Sequence, residues 1–210
     1  MRFYISDLHF GHARLNTDMD RRGFSSGEEM DQYMIRQWNS RVRHGDEVVI
    51  LGDLCMFKKA KEAEDIIRQL KGKKYLIIGN HDYYLGDKEF DRSLFKGIEP
   101  YNELNDDHRK IVLSHYPVFC YDGQYRRNGD GIPKTYMLYG HVHNTFDEVL
   151  VNEFIMQTRA CRRESRDSDE PQSIPCQMIN CFCMFSDYVP LTLDEWIEVD
   201  AKRREGMGRL

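Results

Sequence analysis

A chain of 210 residues with 40% hydrophobic and 31% charged side chains is long enough to enclose a substantial core within one domain. Its formal net charge of −5 provides no general electrostatic footprint for nucleic acid, which takes a basic domain or a clustered basic face, so no extended nucleic-acid surface is expected. No apolar stretch has the length of a membrane span and residues 1–7 (MRFYISD) carry no signal-peptide pattern, so the expectation is a cytoplasmic protein, away from membranes, with its six cysteines reduced.

Residues 3–5 (FYI) read as a first short buried strand, followed at once by Asp7, His9 and His12. Met30, Tyr33, Met34, Trp38 and Val42 recur at helical spacing and predict a helix over 28–43, with Ser25 or Ser26 available to cap it. A second strand, VVIL at 48–51, delivers Gly52-Asp53. Ala60, Ala63, Ile66, Ile67 and Leu70 then predict a helix over 58–70, stopped by Lys71-Gly72. The third strand, YLII at 75–78, ends in Gly79-Asn80-His81-Asp82. Two strand-helix-strand units in succession imply a parallel start to the sheet.

A short helix is expected over 88–95, before a fourth strand at 111–113 (IVL) that ends in Ser114-His115. The loop 121–133 carries Arg126 and Arg127, and the strand YMLY at 136–139 ends in Gly140-His141-Val142-His143. Further strands are expected at 148–151 (EVLV) and 177–182 (QMINCF), with Cys181 and Cys183 sharing one strand face as small buried hydrophobes. Residues 158–175 are polar and charged and read as an exposed insertion. A closing amphipathic helix is expected over 193–203, capped by Thr192 or Asp194. With no internal repeat or low-complexity segment, a single domain over 1–210 is expected.

Five apolar runs therefore end in metal-ligand chemistry, each at the carboxyl end of a strand, where open α/β sheets place their ligands. Any one such motif arises by chance; unrelated structural histidines would not gather at five strand ends. In Asp7-x-His9 and His141-x-His143 a one-residue separation lets a short extended segment direct both side chains to the same side. Imidazoles mixed with carboxylates suit Mn, Fe, Zn or Co, whereas an all-oxygen set would suit Mg or Ca. The donors outnumber what one tetrahedral zinc takes, which points to two divalent transition-metal ions bridged by a shared carboxylate. His44 and His108 lie in polar connections and receive no role.

The ordered set DxH, GD, GNHD, H and GHxH resembles that of the calcineurin-like metallophosphoesterases over residues 5–143. The tail INCFCMFSDYVPLTLDE (179–195) is similar to the final strand and helix of small bacterial and phage members. This resemblance implies an α/β fold: a two-sheet β-sandwich flanked by helices and built from βαβ units (α/β/β/α). It implies that Asp7, His9, Asp53 and His143 hold one ion while Asp53, Asn80, His115 and His141 hold the other, with Asp53 bridging. Two divalent ions, two aspartates and a bridging hydroxide would leave a centre of about +1, which attracts phosphate. The hydroxide would attack phosphorus in line, and His81 is the implied catalytic group that protonates or supports the leaving alkoxide; Asp82 or another carboxylate is a candidate to orient it. His12 is a substrate-side candidate because it lies three positions beyond a ligand, and Arg126 and Arg127 are candidates to clamp a substrate phosphate bidentately. The expected function is hydrolysis of a phosphodiester or phosphomonoester in a small phosphorylated substrate, with nucleotides among the candidates.

Departures from better-known branches narrow that expectation. Phosphoprotein phosphatases of the superfamily carry Arg before Gly-Asn-His and continue the Gly-Asp segment to Asp-Arg-Gly, whereas here Ile78 precedes Gly79 and Leu54-Cys55-Met56-Phe57-Lys58 follows Asp53. The branch that processes DNA ends carries additional DNA-binding regions for which this length and acidic balance leave little room. The alternative is a non-catalytic metal-binding docking protein on the same fold. Loss of His81 or of a ligand would favour it, and the sequence retains all of them. A purely structural metal site closes its coordination with four ligands and does not need a spare histidine.

Overall fold

Strict alternation of side chains along short strands sets the layers of this protein. The computed structural model describes residues 1–164 and 170–207. Strands β1 (Arg2–Ile5), β2 (Glu47–Ile50) and β3 (Lys73–Ile77) pair in parallel, with Tyr4 beside Val49 and Val49 beside Tyr75, and β4 (Phe95–Glu99) extends the sheet in the same sense. Helices α1 (Gly27–Arg41) and α2 (Ala60–Ile67) are the crossovers. Phe3, Ile5, Val48 and Ile50 face these helices and pack with Met30, Met34, Trp38, Ala63 and Ile67. The intervening Tyr4, Val49 and Leu51 point the other way, toward a second sheet.

That second sheet contains β5 (Tyr101–Asp106), β6 (Arg109–Ser114) and β7 (Thr135–Tyr139), after which come helix α3 (Phe146–Ala160) and a two-residue pair, β8 (Arg162–Arg163) with β9 (Gln172–Ser173). Strand β10 (Met178–Asn180) completes it in the order β10-β7-β6-β5, with only β5 antiparallel to its neighbour. Ile111, Leu113, Tyr136 and Leu138 fill the space between the sheets, while Val112, Met137 and Tyr139 face outward onto Val151 and Ile155 of α3. Helix α4 (Leu193–Met207) contributes Leu193 and Trp196 to the inter-sheet core, and the Trp196 indole donates to the Tyr4 carbonyl at 2.8 Å. The result is the expected α/β/β/α sandwich. Ser6 joins its halves at the carboxyl ends, donating to Cys181 O at 2.9 Å and accepting from Cys183 N at 3.1 Å.

Caps explain where the helices start. Ser26 accepts from Glu29 N at 3.0 Å while the Glu29 carboxylate accepts from Ser25 N at 2.8 Å; at α4, Glu195 accepts from Thr192 N at 2.9 Å. Gly72, at φ +90°, turns the chain after α2 into β3.

Several expectations are corrected. Residues 148–151 are not a strand but part of α3: Thr145 caps that helix, and Glu148, Val151, Asn152 and Ile155 are buried at one-face helical spacing, which overrides the local β preference of Val-Leu-Val. The helix expected over 88–95 reduces to a single 3-10 turn, Arg92–Leu94, because Phe95 already begins β4. The segment 158–175 is not wholly loop: its first residues finish α3 and it carries β8 and β9, while 165–169 lie outside the described residues. Cys181 and Cys183 are buried, but both lie beyond β10, and Cys183 opens a 3-10 turn, Cys183–Ser186. Among the described residues no helix is long and apolar enough to cross a membrane.

Candidate metal centre

The chain turns abruptly where β1, β2 and β7 end. Asp7, His9, Asp53, His141 and His143 have φ of 56°, 53°, 53°, 70° and 49°, a left-handed backbone that costs a residue with a Cβ on the order of 1 kcal/mol. Such strain persists only where surrounding contacts over-determine it. Two motif glycines make room for the carboxylates. A Cβ on Gly79 would lie 2.2 Å from Asp53 Oδ1, and one on Gly140 would lie 2.5 Å from Asp7 Oδ2.

These turns converge the side chains into two groups. Asp7, His9 and His143 offer ligand atoms within 4.8 Å of one another, and so do Asp7, Asp53 and His115. The Nε2 atoms of His9 and His143 are 3.2 Å apart. Asp53 Oδ2 lies 3.5 Å from both His9 Nε2 and His115 Nε2, between the two groups, while Asp7 belongs to both. His115 Nε2 is 3.0 Å from Asn80 Oδ1. The His141 ring packs beside His115 at a centroid distance of 5.1 Å, and its backbone N–H donates to Asp7 Oδ1 at 3.0 Å.

The donor set fits divalent cations. Asp7 and Asp53 are 0% and 1% exposed, and burial, with repulsion from Asp7 adding to it, pushes the Asp53 carboxyl up. Two adjacent buried carboxylates are costly without positive charge between them. The imidazoles are prepared to ligate through Nε2. His115 Nδ1 donates to the Leu51 carbonyl at 2.8 Å and His143 Nδ1 to Asp20 Oδ1 at 2.8 Å, which leaves each Nε2 directed at the carboxylates. His9 is held well below the ordinary histidine range, first by burial and then by His143, so it presents a neutral ring, whereas at His143 burial is outweighed by the Asp20 and Asp7 carboxylates, which raise it.

The family model described as Calcineurin-like phosphoesterase matches residues 3–172. The chain belongs to the calcineurin-like phosphoesterase family. It is 39% identical over 148 residues to the uncharacterized protein MJ1445 of Methanocaldococcus jannaschii, spanning 70% of this chain and 72% of that one. It is 29% identical over 171 residues to the Gene 66 protein of Mycobacterium phage L5, spanning 68% and 77%. Among solved structures, the protein of unknown function AQ665 from Aquifex aeolicus superposes with a TM-score of 0.59 at 22% identity, over 95% of this chain and 98% of that chain, a likeness of fold.

In this member of the family the supporting residues are as specific as the ligand set, and sequence reasoning missed most of them. Asp20, which orients His143, is itself paired with Arg22 at 2.8 Å, and Arg22 donates to the carbonyls of Leu8 at 2.7 Å and Asp7 at 2.9 Å. Both sit in a charged run, TDMDRRGF, with no periodicity to mark them. Asn180 donates to the His143 carbonyl at 2.8 Å; its place at the end of β10 is the signal that would have found it. Asp82 does not orient His81. Its carboxylate accepts from the backbone N–H groups of Asp53, Leu54 and Gly79 at 3.0, 2.9 and 2.8 Å, locking two ligand loops together, and burial pushes it up to about 6.

His81 is half-buried, its ring centroid is 5.3 Å from that of His9, its backbone N–H donates to Asp53 Oδ1 at 2.7 Å, and its Nδ1 is 3.1 Å from the Tyr83 hydroxyl. Asn80 is exposed and His141 half-buried, so the centre is open on their side and closed on the His9 and His143 side. Tyr116 stands on that open side, its hydroxyl 3.4 Å from Asn80 Oδ1 and its ring 4.5 Å from His141. His12 packs against His9 at 5.5 Å between ring centroids. Arg126 and Arg127 are not brought to this cluster: they line a separate cavity beside the amino end of β7, with Arg126 Nη2 3.6 Å from Asp122 and Arg127 donating to Gly131 O at 2.7 Å.

Proposed function

We propose that this protein is a dinuclear metal-dependent phosphoesterase that hydrolyses a phosphodiester or phosphomonoester in a small phosphorylated substrate. The observation that carries the reading is the pair of overlapping ligand groups around two buried carboxylates, Asp7 and Asp53, with an unassigned histidine, His81, beside them. Asp7, His9, Asp53 and His143 would hold one ion; Asp53, Asn80, His115 and His141 would hold the other. When bound, two ions of the Mn, Fe or Zn type acidify water toward neutrality and polarise the phosphoryl oxygens.

The chain's own groups do the rest. Asp20 and the Leu51 carbonyl hold His143 and His115 in the tautomer that ligates through Nε2, and Asp82 keeps the loops carrying Asp53 and Gly79 in register. A substrate phosphate enters on the open side, past Asn80, His141 and Tyr116. His81, held by Tyr83 at Nδ1, keeps Nε2 for the leaving-group oxygen and carries the proton to it. His12 lies next to His9 on the rim and meets the remainder of the substrate.

The experiment is a panel assay of Mn-loaded and Zn-loaded protein against aryl phosphodiesters, phosphomonoesters and cyclic nucleotides. Metal-dependent turnover of at least one class is expected. Inactivity on every class with both ions bound would overturn hydrolysis and leave a metal-binding docking protein.

A further inference from the structure

Well away from the histidine cluster, the loop after Tyr121 and the β8–β9 pair border a solvent-open cavity of about 870 Å³. Five strand residues of β7 separate its rim at Lys134 from the turn that carries His141, roughly 16 Å at about 3.3 Å per residue. The length of α3 likewise separates Arg163 from the His143 turn by about 22 Å. None of the seven candidate metal ligands lines this cavity.

Its charge is opposite to that of the chain. Arg126, Arg127, Lys134 and Arg163 line it, against one acidic residue, Glu164, among the described lining residues, in a protein of net charge −5. These cations are poorly neutralised. Among the described residues Arg126 pairs only with Asp122, at 3.6 Å, and that carboxylate is hydrogen-bonded to Lys110. Lys134 makes no ion pair with any described residue, and the Arg163 guanidinium lies 3.6 Å over the Tyr125 ring, a contact that positions it without cancelling its charge. Arg127 braces the walls, donating to Gly131 O at 2.7 Å on one side and to Ser173 Oγ at 3.2 Å on the other. Like charges gathered in a concave surface repel one another until an anion enters, and guanidinium groups match phosphate oxygens bidentately. The volume lies within the usual range of small-ligand sites and exceeds what one phosphate fills.

We infer that this cavity is a binding site, separate from the metal centre, for a small polyphosphate anion: a diphosphate or triphosphate group, free or carried by a nucleoside. Lys134, without an ion pair among the described residues, and Arg126, which shares Asp122 with Lys110, supply the available charge, Arg163 is held ready by Tyr125, and Arg127 keeps the loop and β9 together around the ligand.

The test is titration calorimetry on the full chain after removal of divalent metals, so that the metal centre does not compete for phosphate, with circular dichroism to verify the fold. The probes are inorganic pyrophosphate, ATP and adenosine. Pyrophosphate and ATP should each bind once per chain and adenosine should not. ATP at least tenfold tighter than pyrophosphate would assign the remaining space to the nucleoside; equal affinities would assign the site to free polyphosphate. The double substitution Arg126→Ala with Lys134→Ala should weaken pyrophosphate at least tenfold, while Arg126→Lys with Lys134→Arg keeps it within about threefold. The metal-loaded double alanine variant should hydrolyse a small aryl phosphodiester within twofold of wild type. Absence of pyrophosphate binding at millimolar concentration, equal binding by the double alanine variant, or binding of adenosine as tight as ATP would each overturn the site. Because the binding is read without metal, its failure leaves the reading of the metal centre untouched.

Discussion

At their carboxyl ends β6 and β7 deliver His115, His141 and His143 into a cluster where the backbone of both GHxH histidines is left-handed and the ring nitrogens of His115 and His143 are committed to fixed partners. At the amino end of β7 the same sheet presents Lys134 and the neighbouring arginines to a solvent-open cavity in which few of the cations have a carboxylate among the described residues. The contrast follows from what each end would do under the proposed function and the proposed anion site. A reacting centre has to be assembled before substrate arrives, so it is built from buried carboxylates, strained turns and rings with one nitrogen already occupied. A surface that takes up a mobile anion needs accessible charge and little else.

If that contrast is right, substitutions at the carboxyl ends should act on chemistry and metal, in a graded series. The largest effect is expected at His81. His81→Ala should lower kcat about 10²- to 10⁴-fold while the metal content stays at the wild-type value, and turnover equal to wild type with an aryl phosphodiester would remove His81 from the chemical step. Next comes the residue behind a ligand. Asp20→Asn deprives His143 of its carboxylate partner and should weaken metal affinity about 10- to 100-fold, read by competition with a chelator. An unchanged affinity would mean that the ring is oriented by packing against Phe182 alone.

Gly140→Ala tests the steric part of the contrast. Its Cβ would meet Asp7 Oδ2 at 2.5 Å and the side chain of Ser6, so the variant should lose about 1–3 kcal/mol in denaturant unfolding, as overpacked sites do. A neutral result would show the Asp7 carboxylate free to move aside.

The smallest effect concerns Asp31, which accepts from Gly11 N at 3.0 Å in the loop after His9. Burial raises its carboxyl to about 6, above the unfolded value, so the protonated form is favoured on folding. That contribution is complete at acid pH below the unfolded value and is lost as pH rises through about 6. Asp31→Asn should therefore gain stability relative to wild type between pH 4 and pH 7, compared on metal-free protein; the same difference at both pH values would contradict the shift.

Much of the carboxyl-end geometry was legible beforehand because strand-end placement is a local property. Apolar runs of three or four residues, each followed by Asp, His or Gly-Asp, mark both the end of a strand and the direction of its last side chains. The two βαβ units were legible for the same reason, through the apolar spacing of α1 and α2 and the Ser25-Ser26 cap. The second half was harder. β5 carries YNELND, whose alternating exposure and half-burial leaves no apolar signature, and α3 hides its helical period behind Val149-Leu150-Val151. The residues that prepare the centre are tertiary: Asp20 lies 123 positions from His143, and Asn180 lies 37 from it. Asp82 shows the converse error, where adjacency in sequence suggested a partner for His81 and the fold turned the carboxylate into the backbone of two loops.

The central claim is that Asp7 and Asp53 hold two ions between them, with Asp53 shared. The direct measurement is metal stoichiometry by elemental analysis of Mn-loaded protein after removal of free ions. The account predicts two ions per chain in the wild type and one or fewer in Asp53→Asn. Two tightly bound ions in Asp53→Asn, or none in the wild type, would contradict it.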